Sequence, residues 1–274
     1  MDKIPFFDRI AALKSRAASI IFTKKCVICH SALWYDEKTV CADCLAAWSA
    51  SQRAKCPVCS KTAQSCTCRP ISMTSTGKVG ERYISALAFY GKPDSEDKRD
   101  IAVRRLINSL KKSPDRSSVK FLAADLSRII LKKLLTGGEK PEDWAVCCPP
   151  RTRERIREYG FDQSRELTRS ISRMTGIKFE NCFKNSGSTL QKTLNIIERK
   201  KNAEESYRLT KNVHAEKGKY IIIDDIITTG ATVSTCAGLL YGAGAEVVFP
   251  VCVARTKPKK RKVRRKAAHK LWFR

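Results

Sequence analysis

The chain has 274 residues, 42% of them apolar and 30% charged, enough to build a packed core and to exclude a wholly disordered polymer. Its 54 lysines and arginines against 27 acids leave a net charge of +27, which points to polyanionic partners: nucleic acid, phosphorylated ligands or anionic lipid. No apolar run reaches the roughly 18 residues of a membrane-spanning helix, so stable membrane insertion is not expected, and the length suits two domains.

In chain order, Ile10, Leu13, Ala17 and Ile20 recur at helical spacing and predict an amphipathic N-terminal helix over residues 1–24. Asp8, Arg9, Lys14 and Arg16 interrupt the apolar core that an export leader needs. Eight of the 13 cysteines then fall between Cys26 and Cys68 and define a small domain over residues 25–70. Without an export signal, this many cysteines imply a reducing, cytoplasmic setting where thiols bind metal or lie buried. A linker over 71–80 follows, marked by proline, glycine and serine.

From residue 81 to 256 the pattern alternates. Ile84 to Tyr90 reads as a strand, Asp97 to Lys112 and Ser118 to Leu135 as helices, and Ala145 to Cys148 as a short strand stopped by Pro149 and Pro150. Phe161 to Met174 returns to helix, Tyr220 to Ile223 is a β-branched strand, Thr232 to Tyr241 a helix and Glu246 to Ala254 a last strand. Such alternation predicts an α/β fold with a parallel sheet. No internal repeat stands out. Counted from Arg255, the end of the chain carries eleven lysines and arginines and no acid, so residues 257–274 are expected to form a disordered basic tail able to contact nucleic acid.

The cysteines are spaced as Cys26-x2-Cys29, Cys41-x2-Cys44, Cys56-x2-Cys59 and Cys66-x-Cys68. A Cys-x2-Cys turn can present two thiolates on one side, and two such turns complete a tetrahedral zinc site. Four pairs therefore predict one or two structural zinc ions, with sequential and interleaved pairing both allowed by spacing. Sites made wholly of thiolates are closed to water and so structural rather than catalytic. Cys147, Cys148, Cys182, Cys236 and Cys252 lie in apolar patterns and read as buried fillers.

The stretch Tyr220-Ile221-Ile222-Ile223-Asp224-Asp225-Ile226-Ile227-Thr228-Thr229-Gly230-Ala231-Thr232 carries the most chemistry. A buried strand brings two consecutive carboxylates to the end of a sheet, where open α/β folds bind ligands. Behind them a threonine–glycine bend opens a helix whose first N–H groups and dipole favour an anion. Acids beside a phosphate cradle suit a sugar phosphate, the acids accepting from vicinal hydroxyls.

These residues resemble the phosphoribosyl pyrophosphate (PRPP) motif of type I phosphoribosyltransferases, and within that group the chain resembles the ComF family, competence-associated proteins with a double zinc ribbon in front. Pro149-Pro150-Arg151 leading to Gly160-Phe161-Asp162-Gln163 is similar to that family's proline–arginine loop, and Gln191, Leu194, Arg199 and Asn202 reproduce its flexible-loop spacing. The resemblance implies a phosphoribosyltransferase-like parallel sheet with helices on both faces. It implies Asp224 and Asp225 at the ribose hydroxyls in the catalytic centre, and Thr228, Thr229, Gly230, Ala231 and Thr232 at the 5-phosphate. Arg151 and Arg157 would face the pyrophosphate, with magnesium bridging ligand oxygens. The implied activity is phosphoribosyl transfer (a glycosyltransferase reaction) linked to DNA uptake. The alternative is a non-catalytic protein that handles single-stranded DNA and keeps the PRPP-like pocket for regulation. Two positions depart from the pattern: Tyr159 stands where the family has arginine, and Asp162 where it has asparagine, an acid that would repel pyrophosphate.

Overall fold

A computed structural model describes residues 24–34, 37–68, 84–112, 116–185, 206–211, 213 and 215–258. The expected N-terminal helix, the linker, the flexible-loop residues Gln191 to Asn202 and all of the basic tail beyond Pro258 lie outside them.

Among the described residues the first helix is α1 (Ala42–Gln52), capped by Cys41 and carrying Cys44 in its first turn. Strand β1 (Ser85–Tyr90) leads into α2 (Lys98–Lys112) and α3 (Ser117–Thr136). Then come β2 (Trp144–Cys147), α4 (Arg153–Tyr159), α5 (Gln163–Thr175) and the short β3 (Lys178–Phe179). Strands β4 (Phe183–Asn185) and β5 (Tyr207–Leu209) form an antiparallel pair. The last described elements are β6 (Lys219–Ile227), α6 (Ala231–Gly242) and β7 (Val247–Thr256).

Five strands form one sheet in the order β1-β7-β6-β2-β3, every pairing parallel. The central β6 and β7 are buried almost throughout, as parallel strands covered on both faces must be. Side chains alternate across β6: Ile221 and Ile223 join one core with Leu106, Leu122 and Ile171, while Tyr220 and Ile222 join the other with Cys236 and Leu240. Helices α2, α3 and α5 thus cover one face and α6 the other, which is the expected α/β architecture with helices on both sides.

Three local readings need correction. Strand β6 does not stop before the acids; it runs through Asp224 and Asp225 to Ile227, because β7 pairs alongside as far as Ile227↔Arg255. The stretch expected as an open loop between Pro149 and Gly160 holds helix α4, with Glu154 in its first turn and Arg157 in its last, charges that suit the helix dipole. Arg255, grouped above with the basic end of the chain, sits in β7 and is only 2% exposed, and Lys257 pairs with Asp100 at 3.2 Å.

The cysteine-rich segment has no separate apolar core. Cys26, Val27, Ile28 and Trp48 belong to the same buried cluster as Leu106, Leu110 and Leu122. Trp48 donates its indole N–H to Asp125 of α3 at 2.8 Å, and Gln52 donates to the same oxygen at 3.0 Å. Among the described residues, no helix is long and apolar enough to cross a membrane.

Candidate functional site

The eight clustered cysteines sort sequentially: Cys26, Cys29, Cys41 and Cys44 in one group, Cys56, Cys59, Cys66 and Cys68 in the other, with the sulfurs of each group within 4.8 Å of one another. Thiolates placed tetrahedrally about 2.3 Å from zinc stand about 3.8 Å apart. The separations Cys29–Cys41 at 3.6 Å, Cys56–Cys68 at 3.8 Å and Cys59–Cys66 at 3.6 Å match that spacing. Both groups can therefore hold a zinc ion, the tight Cys66-x-Cys68 pair included.

The two groups repeat one local structure, which the sequence did not suggest. The N–H of Cys26 donates to the Ser31 carbonyl and that of Cys56 to the Lys61 carbonyl, both at 2.8 Å. The N–H of Ile28 reaches the Cys26 sulfur and that of Val58 the Cys56 sulfur, both at 3.4 Å. Each turn is closed by a residue in the left-handed region, His30 (φ 64°) and Ser60 (φ 59°), so His30 serves the turn and stays outside the sulfur group. Over 25–32 and 55–62 the two turns share the Cys-x2-Cys pairs and Lys25/Lys55 but no other residue.

The second site lies at the C-terminal ends of β2 and β6. Pro149, Pro150, Arg151, Thr152, Tyr207, Asp224, Asp225, Ile226 and Thr232 line a pocket of about 150 Å³. Asp225 is bonded by Arg151, whose guanidinium donates at 2.7 Å and reaches the Ser164 hydroxyl at 3.2 Å. Both partners are buried, with side chains 14% and 11% exposed. Asp224 is the outlier. Burial, then the charge of Asp225, raises its carboxyl to about 8. Burial acts on Asp225 in the same sense, but the Arg151 guanidinium outweighs it and holds that carboxyl below the usual range. Neighbouring acids thus have opposite environments: Asp225 is paired and ionised, and Asp224 shares a buried space without a cation of its own.

Behind the acids the bend turns into α6. Gly230 adopts φ 82°, a conformation open to glycine, and caps α6. Thr229 accepts the Ala231 N–H at 3.4 Å, so one of the early N–H groups of α6 has a protein partner. Thr228 is exposed, and of the bend residues Thr232 alone lines the pocket. The structure brings together Asp224, Asp225, Arg151 and Thr232, keeps Thr228 to Ala231 at the adjoining bend, and leaves Arg157 exposed on α4, outside the pocket lining.

Asp162 does not act as a repelling charge in the pocket. It caps α5, accepting the Arg165 N–H at 3.0 Å, a role that an Asp just before a helix signals. Tyr207, unremarked in the sequence, forms a wall of the pocket; burial pushes its hydroxyl up to about 12, while a hydrogen bond with Thr232 pulls the other way. Of the remaining cysteines, Cys147, Cys182, Cys236 and Cys252 are buried as expected and Cys148 is half-buried.

Over 142 residues, 49% of this chain, the sequence is 32% identical to the DNA utilization protein YhgH of Escherichia coli K12 and equally to its counterpart in Salmonella typhimurium. The ComF-type resemblance is borne out. The matched region spans 61% of those relatives' own length. No family model matches the chain. Similar solved structures include the hypoxanthine phosphoribosyltransferase of Trypanosoma cruzi, 11% identical over 52% of this chain and 67% of that one with a TM-score of 0.33. An adenine phosphoribosyltransferase is 17% identical over 56% of this chain and 69% of that one, with a TM-score of 0.31. At these scores the likeness adds nothing to what the strand order already shows.

Proposed function

We propose that this ComF-type protein binds PRPP, or a closely related sugar phosphate, in the pocket between Asp224, Asp225 and the Thr228–Thr232 bend, in the service of DNA handling. The observation that carries the reading is the placing of a half-buried and a buried carboxylate, Asp224 and Asp225, on β6 beside a glycine-capped helix start. The carboxylates accept from the ribose hydroxyls, and the bend supplies N–H and hydroxyl donors to the 5-phosphate. Arg151 pairs with Asp225 in the protein alone and turns toward the pyrophosphate when that ligand arrives. Arg157, exposed on α4, faces the pyrophosphate from outside the pocket lining.

The donor set also suits magnesium, a hard cation that prefers carboxylate, phosphate and water oxygens. Asp224, poorly stabilised as an anion, gains most from such a charge. When bound, magnesium would neutralise the pyrophosphate as the ribose–oxygen bond breaks. The protein's own part is to position the sugar and stabilise charge.

The test is direct binding of PRPP with magnesium by calorimetry. Asp224→Asn with Asp225→Asn is expected to abolish binding while zinc content, measured by atomic absorption, stays at wild-type level. Retained PRPP binding in that variant refutes the pocket. Pyrophosphate release with a panel of bases as acceptors then decides for or against turnover.

A second reading is favoured by the name of the relatives and by the charge of +27: a protein that handles single-stranded DNA and uses the pocket for regulation. Pyrophosphate traces that stay flat with every acceptor, together with single-strand binding that weakens steeply with salt, select it.

A further inference from the structure

Three arginines of α5, Arg165, Arg169 and Arg173, recur at every fourth position and so form one row along the helix, about 6 Å apart. Like charges at this spacing disfavour an isolated helix. Among the described residues no carboxylate pairs with any of the three; the nearby acids are taken, Glu166 by Arg116 at 3.0 Å and Glu180 by Lys178 at 2.7 Å. The Nε of Arg165 is buried without a hydrogen-bond partner. By contrast, prominent cations of α2 are already engaged: Arg99 pairs with Asp97, and Arg104 donates to the carbonyls of Lys92 and Ser95.

One aromatic ring, Phe179, lies against this row, and a second, Phe161, stands just before the helix against Arg116. The guanidinium carbons of Arg165 and Arg169 lie 5.9 and 5.4 Å from the Phe179 ring centre, and Arg116 lies 5.6 Å from that of Phe161. Phe179 and Phe161 are both half-buried, and Phe179 stands on the edge strand β3. Unneutralised guanidinium groups in register with aromatic faces are what a single strand requires, phosphates on the cations and bases on the rings. The row also begins beside the pocket, one residue after Ser164, whose hydroxyl Arg151 touches.

We propose that the Arg165–Arg169–Arg173 face of α5, with Phe161 and Phe179, is the track on which single-stranded DNA lies, leading to the mouth of the Asp224–Asp225 pocket. This rests on the DNA-handling reading above and gives it a surface. The full-length, zinc-loaded protein is titrated with fluorescein-labelled oligothymidylate and followed by anisotropy from 50 to about 300 mM salt. R169Q/R173Q, which changes only exposed side chains, is expected to lower the slope of log K against log salt by about 1.4, at about 0.7 for each phosphate that is no longer neutralised. F179L, which keeps an apolar side chain but removes the aromatic face, is expected to weaken binding at least fivefold with an unchanged slope. R99Q on α2 should match the wild type in both. If the wild type binds and the α5 variants keep its affinity and slope, the track is refuted and the DNA reading survives. If the wild type shows no binding at any salt, both fall.

Discussion

The guanidinium of Arg255 donates to the backbone carbonyl of Cys66 at 3.3 Å, and its other nitrogen donates to the carbonyl of Cys68, so the last strand of the sheet is fastened to the second cysteine group. Arg255 is buried, and no carboxylate pairs with it among the described residues. A buried cation needs nearby negative charge. Four thiolates around one divalent zinc leave a net charge of minus two, which would supply it.

Arg255→Met should therefore act on stability and on metal together. It leaves buried carbonyls without a donor, which costs roughly 1–3 kcal/mol, and exposes the sheet to loss of its anchor. The expected result is a melting temperature lower by several degrees and faster release to a chelator of one zinc out of two. Wild-type melting and zinc retention would show that the guanidinium merely fills space.

Metal removal should be visible at Trp48. Its ring is 1% exposed and shares a core with Cys26, while Cys41 and Cys44 pack against it. Chelation of the first group is expected to shift its emission to the red, and Cys29→Ser should do the same without chelator. Asp125→Leu, which takes the acceptor from the Trp48 and Gln52 donors, should cost roughly 1–3 kcal/mol and quicken proteolysis of the cysteine segment, zinc still bound.

A stability–pH profile tests the unequal acids. Asp224 is protonated in the fold up to about 8 but ionised above about 4 in the unfolded chain, so the folded state binds the extra proton. Stability of the ligand-free protein contributed by this group therefore falls as pH rises from about 4 to about 8. Asp225, shifted the other way, matters only below that window. Asp224→Asn should raise melting at pH 8 by several degrees and leave it almost unchanged at pH 4. An equal gain at both pH values would remove ionisation as the cause.

Much of this was legible in the residues. Alternating apolar runs predicted the parallel sheet because strands buried on both faces have no polar register to blur them. The Asp224–Asp225 pair and the glycine bend were visible because few folds tolerate two adjacent acids on an apolar strand without a use. What stayed hidden depended on distance in the chain. Arg255 sits beside a run of lysines and takes its meaning from Cys66, 189 residues away in the chain. The pairing of cysteines is likewise a matter of three-dimensional closure, and the arginine row of α5 gains its aromatic partner from Phe179, beyond the C-terminal end of the helix.

Tyr207 shows the same limit most plainly, since the antiparallel pair β4–β5 carries it to the pocket and no motif surrounds it. Its hydroxyl meets Thr232 and, held up to about 12, stays a neutral donor throughout the working range. Under the proposed function it adds a hydrogen bond to the bound sugar phosphate. Tyr207→Phe should then weaken PRPP binding by about 3–10-fold, the worth of one neutral hydrogen bond, with melting little changed. Because the phenol does not titrate below about pH 11, the ratio of wild-type to variant affinity should stay constant from pH 6 to about 9. A ratio that varies across that range would mean the lost hydroxyl acts by retuning Asp224, whose own titration falls inside it.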